Sequence, residues 1–281
     1  MRVVTWCAVA VVVLSAAADV CFAQLIIAHR GASHDAPENT LAAFRLAWEQ
    51  NADGIEGDFY LTSDRQIICF HDKTTKRVAP AVPERPVSEM TLAELRRLDV
   101  GTWKDARFAG EKPPTLEAVL HTVPAGKLFF VEIKSGPEIL PVLKPQLEGS
   151  GLKPEQLVII AFNEEVASGA REMMPQYRVN WLTSYKQKNE QAPWKPGRRE
   201  VLRTLTETDA TGLGTQGNLD VVDATFARAI RKVGREFHVW TINEPVIARR
   251  FQDLGVDSIT TDRPAFIRAA ITAPATPGDQ P

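Results

Sequence analysis

The sequence predicts an α/β fold of parallel strands joined by crossover helices. Short β-branched runs alternate with amphipathic helical stretches along most of the chain, which is the pattern of repeated strand–helix–strand units. At 281 residues the chain can bury a substantial core, and this length suits one large α/β barrel as well as two small domains. Strand candidates near 25–29, 53–59, 66–71, 127–134, 157–162, 178–182, 211–214, 237–242 and 257–261 are one more than an eight-stranded barrel requires. The surplus is explained by one connection too short for a crossover.

Taken in order, the first strand leads into a loop, Pro37-Glu38-Asn39-Thr40, and then a helix with Leu41, Phe44 and Trp48 on one stripe. Either Asn39 or Thr40 can cap it. Between Phe59 and Gln66 lie only Tyr60 to Arg65, whereas a parallel crossover needs about a dozen residues. The segment 66–71 is therefore read as an antiparallel hairpin partner of 53–59. Pairing Tyr60 with Gln66 sets Glu56 opposite Phe70 and brings His71 beside the acidic pair. From Lys73 to Pro114 the rhythm breaks. Pro80, Pro83 and Pro86 interrupt it, and Thr91-Leu92-Ala93-Glu94 reads as a capping-box helix start, so 73–113 is expected to be an insertion or small cap over the strand ends. Thr115 to His121 begins a crossover helix, and regular alternation resumes at Leu128. After Ile271, the tail at 272–281 is rich in Pro, Ala and Gly and reads as disordered.

The N-terminus carries Arg2, an apolar run from Val3 to Ala18, and Cys21-Phe22-Ala23 before Gln24. This reads as a secretory signal peptide, residues 1–23, cut after Ala23. An uncleaved anchor and a lipoprotein signal at Cys21 are the alternatives. The run falls short of the roughly 20 residues a spanning helix needs, and Ala18-Asp19-Val20 is a poor approach to a lipidated cysteine. Cleavage removes Cys7 and Cys21 and leaves Cys69, which excludes an internal disulfide. A secreted or periplasmic protein with no stable membrane insertion is expected. With 33 Lys and Arg against 35 Asp and Glu, scattered along the chain, no basic field points to a nucleic-acid partner.

Glu56 and Asp58 sit two apart in an extended run, so their side chains share a face. Two adjacent carboxylates repel unless a cation sits between them. No Cys or His cluster has zinc-like spacing, which leaves a hard divalent ion with oxygen ligands, Ca²⁺ or Mg²⁺. Glu132 and Lys134 repeat the two-residue spacing on a later strand, offering a third metal carboxylate and a cation for phosphate; the alternative is a structural pair. His29 and His71 fall at strand ends, where a barrel collects its active site, and imidazoles move protons near neutral pH. Arg30 offers a planar fork for phosphate oxygens, or a salt bridge at the barrel mouth. Trp240, Phe162 or Trp181 could wall a cleft, although aromatics in barrels more often fill the core. Asp262, ending the last strand, reads as a helix cap or Arg partner at least as readily as a catalytic group, His34 as solvated, His121 and His238 as buried and satisfied, and Cys69 as core.

These residues carry a resemblance to the glycerophosphodiester phosphodiesterase family. The matching segments are His29-Arg30-Gly31, Pro37-Glu38-Asn39-Thr40, Asp53-Gly54-Ile55-Glu56-Gly57-Asp58, Thr62-Ser63-Asp64, His71-Asp72, Pro114-Thr115-Leu116, Val131-Glu132-Ile133-Lys134, Trp240-Thr241-Ile242-Asn243 and Thr261-Asp262-Arg263-Pro264. They follow the family's order across 24–271. The resemblance implies a TIM-type (β/α)8 barrel with an insertion at about 73–113. It also implies one divalent cation on Glu56, Asp58 and Glu132, acid–base work by His29 and His71, and phosphate contacts from Arg30 and Lys134. Trp240 is added as a substrate-binding candidate. Arg65-Gln66 and Ser258 depart from the pattern, each standing where the family commonly has a glycine.

The expected reaction is metal-dependent cleavage of a small-molecule glycerophosphodiester to glycerol phosphate and an alcohol such as choline or ethanolamine. One alternative is a lysophospholipase D-like enzyme, which needs an apolar groove that Trp103, Phe108 and the Val82 region could line. The other is a barrel that binds phosphodiesters without cutting them. Paired acid–base groups have little use in a pure binder.

Overall fold

A computed structural model describes residues 24–273 of the chain. The expected signal peptide at 1–23 lies outside the described residues, as does the part of the expected 272–281 tail from 274 onward, while Thr272 belongs to the last helix. In chain order the elements are β1 (Leu25–Ala28), α1 (Leu41–Glu49), β2 (Gly54–Leu61), β3 (Ile67–Cys69), α2 (Leu92–Leu95), α3 (Leu116–Leu120), β4 (Leu128–Ile133), α4 (Leu140–Glu148) and β5 (Leu157–Ala161). They continue with α5 (Glu164–Met173), β6 (Arg178–Thr183), α6 (Arg198–Glu207), β7 (Gly212–Gln216), α7 (Ala224–Lys232), β8 (Glu236–Trp240), α8 (Pro245–Asp253), β9 (Ser258–Thr261) and α9 (Pro264–Thr272).

All strands but β3 run parallel in the order β1-β9-β8-β7-β6-β5-β4-β2, and β1 pairs with β2 through Ile27 and Gly54 to close the ring. The result is a TIM-type (β/α)8 barrel, as expected. Side-chain alternation sorts each strand into two layers. On β4, Phe129, Val131 and Ile133 join the large core between strands and helices, together with Phe44, Phe226 and Phe251. Phe130 instead packs inside the barrel with Ile27, Val158, Ile160 and Leu182. Burying each such side chain contributes roughly 1.5–3 kcal/mol. Two residues beyond Phe130 the same inward face carries Glu132, so the interior changes from apolar to acidic toward the strand ends.

The helices start where the sequence supplies caps. Thr40, rather than Asn39, caps α1 by accepting from Ala43 N, and Thr115 and Asp223 cap α3 and α7 in the same way. Each cap is worth about 1 kcal/mol. Asn39 is free for another task.

The hairpin forms, but its register differs from the sequence reading. Tyr60 pairs with Ile68, not Gln66, and Phe70 N donates to the carbonyl of Asp58. The cause is a turn centred on Asp64 rather than Ser63. Thr62 Oγ1 accepts from Gln66 N and Thr62 N donates to Gln66 O, while Arg65 takes the left-handed conformation at φ 57° that a glycine adopts freely. A slip of two residues keeps every side chain on its face, so His71 still reaches the acidic strands.

The insertion has its own small core. Val78, Val87, Met90, Leu95, Leu98 and Val100 pack on Tyr60, Ile68 and Phe70, with Trp103 against them, and Thr91 and Glu94 form the expected capping box. His238 is buried, with Nδ1 2.7 Å from Ser258 Oγ and Nε2 3.2 Å from Glu236; Ser258 thus has a partner. His121 corrects the expectation. It is exposed, because it follows the short helix α3 and satisfies Nδ1 on the carbonyl of Glu117. Cys69 is the free cysteine of the described residues and is buried. No described helix is long and apolar enough to cross a membrane.

Candidate active site

The strand ends bring the predicted residues to one cleft. His29, Arg30, Glu56, His71, Glu132, Lys134 and Trp240 all line a cavity of about 160 Å³. Register explains the acidic part. Asp58 on β2 pairs with Glu132 on β4, and Glu56 precedes Asp58 by two on the same inward face. One ligand oxygen from each of Glu56, Asp58 and Glu132 lies within 4.8 Å of the others, and all three residues are buried.

The loop after β1 folds back over this cluster. Gly31 sits at φ 81°, and a Cβ there would meet the Ala43 backbone at 2.5 Å, so only glycine lets the loop lie against α1. This turn directs Arg30 N onto Glu56 Oε2 at 2.9 Å. Asn39 closes the loop from its far end. Its Nδ2 donates to Asp58 Oδ2 at 2.8 Å and its Oδ1 accepts from Asp58 N at 3.2 Å.

Both cations lean on the carboxylates. Arg30 Nη1 donates to Glu38 at 2.9 Å, and its Nε is 3.2 Å from Asp58. Lys134 Nζ lies 2.7 Å from Glu132 and 3.4 Å from Asp58. The barrel-mouth salt bridge weighed for Arg30 and the structural pair weighed for Lys134 are therefore both present, in residues that also face the cleft.

Burial pushes the Glu56 carboxyl well above the ordinary carboxylate range, and the charges of Asp58 and Glu132 push the same way. Burial and Asp58 also raise Glu132. Burial acts upward on Asp58 too, but Arg30 and Lys134 favour its charged form and hold it low. Lys134 is raised in turn, Asp58 and Glu132 outweighing its burial. Glu56 Oε1 is buried without a hydrogen-bond partner. An orphaned carboxylate oxygen within an all-oxygen trio fits a hard divalent cation.

Each histidine is backed by a carboxylate. His29 Nδ1 donates to Asp262 Oδ1 at 2.7 Å, and Asp262 also accepts from Ser33 Oγ at 2.9 Å and Asn243 Nδ2 at 2.6 Å. Burial would raise the Asp262 carboxyl, but His29 and these donors keep it well below the usual range. His71 Nδ1 donates to Asp72 Oδ1 at 2.7 Å, and Asp72 is drawn down to about 2, chiefly by hydrogen bonds from Arg77. Burial lowers His71. Asp262 is neither helix cap nor Arg partner; it orients His29. Its place directly after β9, and that of Asp72 directly after His71, are the signals that could have revealed both.

The opposite wall is apolar, formed by Ile160, Phe162, Leu182 and Trp240. Phe162 meets Trp240 edge-on with ring centroids 5.5 Å apart. Trp181 instead lies in the core, donating Nε1 to the carbonyl of Phe162. Trp103, Phe108 and Val82 do not line this cleft. His34 is exposed beside Asp35.

The model of the glycerophosphoryl diester phosphodiesterase family matches residues 29–266. The chain belongs to this family. Similar relatives include the glycerophosphodiester phosphodiesterase of Caldanaerobacter subterraneus, 32% identical, covering 85% of this chain and 94% of the relative. YhdW of Bacillus subtilis is 34% identical over 86% of this chain and 96% of its own length. Among solved structures, a phosphodiesterase of Oleispira antarctica in complex with the product sn-glycerol-3-phosphate superposes with a TM-score of 0.77 at 26% identity, covering 90% of this chain and 98% of that one. The buried acidic trio in this cleft is compatible with a divalent metal.

Proposed function

We propose that this glycerophosphodiester phosphodiesterase uses one divalent cation, Ca²⁺ or Mg²⁺, on Glu56, Asp58 and Glu132, with His29 and His71 as the proton-transferring pair. The observation that carries the reading is the pairing of two carboxylate-backed histidines in one cleft with the acidic trio. The ion would supply Lewis-acid polarisation of a phosphate oxygen and neutralise charge building at phosphorus.

The chain's own residues do the rest. Arg30 and Lys134 bind phosphate oxygens with the donors their carboxylate contacts leave free, and Trp240 packs against the apolar part of the substrate. Asp262 fixes the Nδ1–H tautomer of His29, leaving Nε2 as acceptor for the proton of the nucleophile, a water or the adjacent glycerol hydroxyl. As the new O–P bond forms, the O–P bond to the departing alcohol breaks, and protonated His71 delivers its proton to that oxygen. With water as nucleophile, glycerol phosphate and an alcohol such as choline or ethanolamine leave directly; with the glycerol hydroxyl, the alcohol leaves first and a water, deprotonated at the freed histidine, then opens the cyclic phosphate to glycerol phosphate. The product held by the Oleispira antarctica relative supports this direction of cleavage.

The test is release of glycerol phosphate from glycerophosphocholine and glycerophosphoethanolamine by purified enzyme, after chelation and then with Mg²⁺ or Ca²⁺ restored. Turnover that returns only with the metal supports the reading. Turnover untouched by chelation removes the cation from it. A further proposal, that the leader at 1–23 exports the protein to the periplasm or exterior, is checked by the N-terminal sequence of the exported form, expected to begin at Gln24.

A further inference from the structure

Arg77 lies in the inserted segment between β3 and α3, outside every residue assigned a role above, yet its guanidinium ties together two arms of the site. Nε and Nη2 donate to Asp72 at 2.7 and 2.8 Å, and Nη1 and Nη2 donate to Glu38, both at 2.8 Å. Asp72 is the carboxylate that holds His71, and Glu38 is the one that holds Arg30 Nη1. We propose that Arg77 is a positioning residue that sets His71 and Arg30 at a fixed separation within the cleft for the reaction described above, on whose assignment of His71 this inference rests.

Three features favour this over an ordinary surface ion pair. Both of its partners are engaged bidentately, a fork-to-fork geometry that fixes direction as well as distance and that a lysine cannot reproduce. Both partners are less exposed than Arg77 itself, at 12% for Glu38 and 25% for Asp72 against 41%. The guanidinium also leaves a fixed backbone, because the next residues, Val78 and Ala79, are buried in the insertion's core, and it lies over the Trp103 ring at 5.6 Å. Without Arg77, Asp72 and Glu38 lose the cation that bridges them, and their mutual repulsion is free to carry His71 and Arg30 apart. Supporting partners of this kind typically change activity by roughly 10–100-fold.

The experiment compares Arg77→Ala, Arg77→Lys, His71→Ala and the double variant with Arg85→Ala, which breaks another ion pair of the same insertion. Hydrolysis of glycerophosphoethanolamine is followed with metal present, alongside thermal unfolding. Arg77→Ala is expected to lower kcat roughly 10–100-fold and raise KM severalfold, with Arg77→Lys recovering little. Millimolar ethylguanidinium should restore kcat in Arg77→Ala alone, and the kcat penalty should vanish in the His71→Ala background. Arg85→Ala should match wild type. An impaired His71→Ala beside an Arg77→Ala with unchanged kcat and KM overturns this inference alone. A loss in Arg77→Ala that tracks its unfolding and resists ethylguanidinium does the same. An active His71→Ala instead overturns the reading of His71 and this inference with it.

Discussion

His29 Nδ1 donates to Asp262 Oδ1 at 2.7 Å across 233 residues of sequence, joining the first strand of the barrel to the last. A carboxylate can only accept, so the contact fixes the imidazole tautomer as well as its orientation. Asp262→Asn offers an amide that can donate in the carboxylate's place and so favours the wrong tautomer. Turnover should fall by roughly 10²–10⁴-fold with the fold intact. Steady-state kinetics with circular dichroism checks this, and activity near wild type would detach Asp262 from the chemistry.

The second histidine gives a complementary expectation. His71→Ala should depress kcat by roughly two to four orders of magnitude, while calorimetric metal binding stays near wild type, since His71 is not one of the three clustered acids. If metal binding disappears with the imidazole, His71 is a ligand rather than an acid.

Saturating the acidic trio should stabilise the fold. At about 100 times its Kd, Mg²⁺ or Ca²⁺ contributes about 2.7 kcal/mol, which for a chain of this size raises Tm by roughly 5–10 °C. Chelation should reverse the shift, and Glu56→Gln should abolish most of it. Equal melting curves with and without metal in differential scanning calorimetry would contradict the assignment.

Asp72 makes stability depend on acid. Its folded pKa is drawn down from 3.8 to about 2, so its contribution is complete above about pH 4 and is lost as pH falls through about 2. The carboxylate is partly solvated, which limits the effect to no more than about 1 kcal/mol. Urea unfolding between pH 5 and pH 2 should show a shallower acid limb in Asp72→Asn than in wild type. Parallel limbs in the two proteins would assign the acid sensitivity elsewhere.

Gly31 combines a positive φ with a 2.5 Å approach to backbone. Gly31→Ala should cost roughly 1–3 kcal/mol of stability and slow turnover by displacing Arg30 from Glu56. Chemical denaturation and kinetics on one preparation read both effects together.

Much of this was legible in the sequence because period-two alternation and strand-end placement are local properties. Glu56 with Asp58, and Glu132 with Lys134, each announce a shared face by spacing alone, and the short link after Phe59 announces a hairpin. What escaped depends on contacts between distant segments. Nothing local distinguishes Asn39 as a capping residue from Asn39 as the clip on Asp58, since Thr40 beside it can cap as well. Asp262 meets its histidine only once the barrel closes, and Arg77 meets Glu38 only once the insertion packs. The hairpin register slipped because Arg65, where a glycine would have signalled a left-handed turn, hid where the turn is centred.

The cleft is lined unequally around the barrel. Side chains from β2 and β4, and from the segments that follow β1, β3 and β4, supply every charged group, whereas β5, β6 and β8 and the segment after β5 supply Ile160, Leu182, Trp240 and Phe162. The two arcs are separate stretches of the gene product and share no titrating residue. Such a division lets selection act on them independently: one arc holds the reaction constant while the other is free to vary with the size and polarity of the ester that must fit. Diversification of substrate range in a lineage with this layout would accumulate in the second arc and leave the first silent.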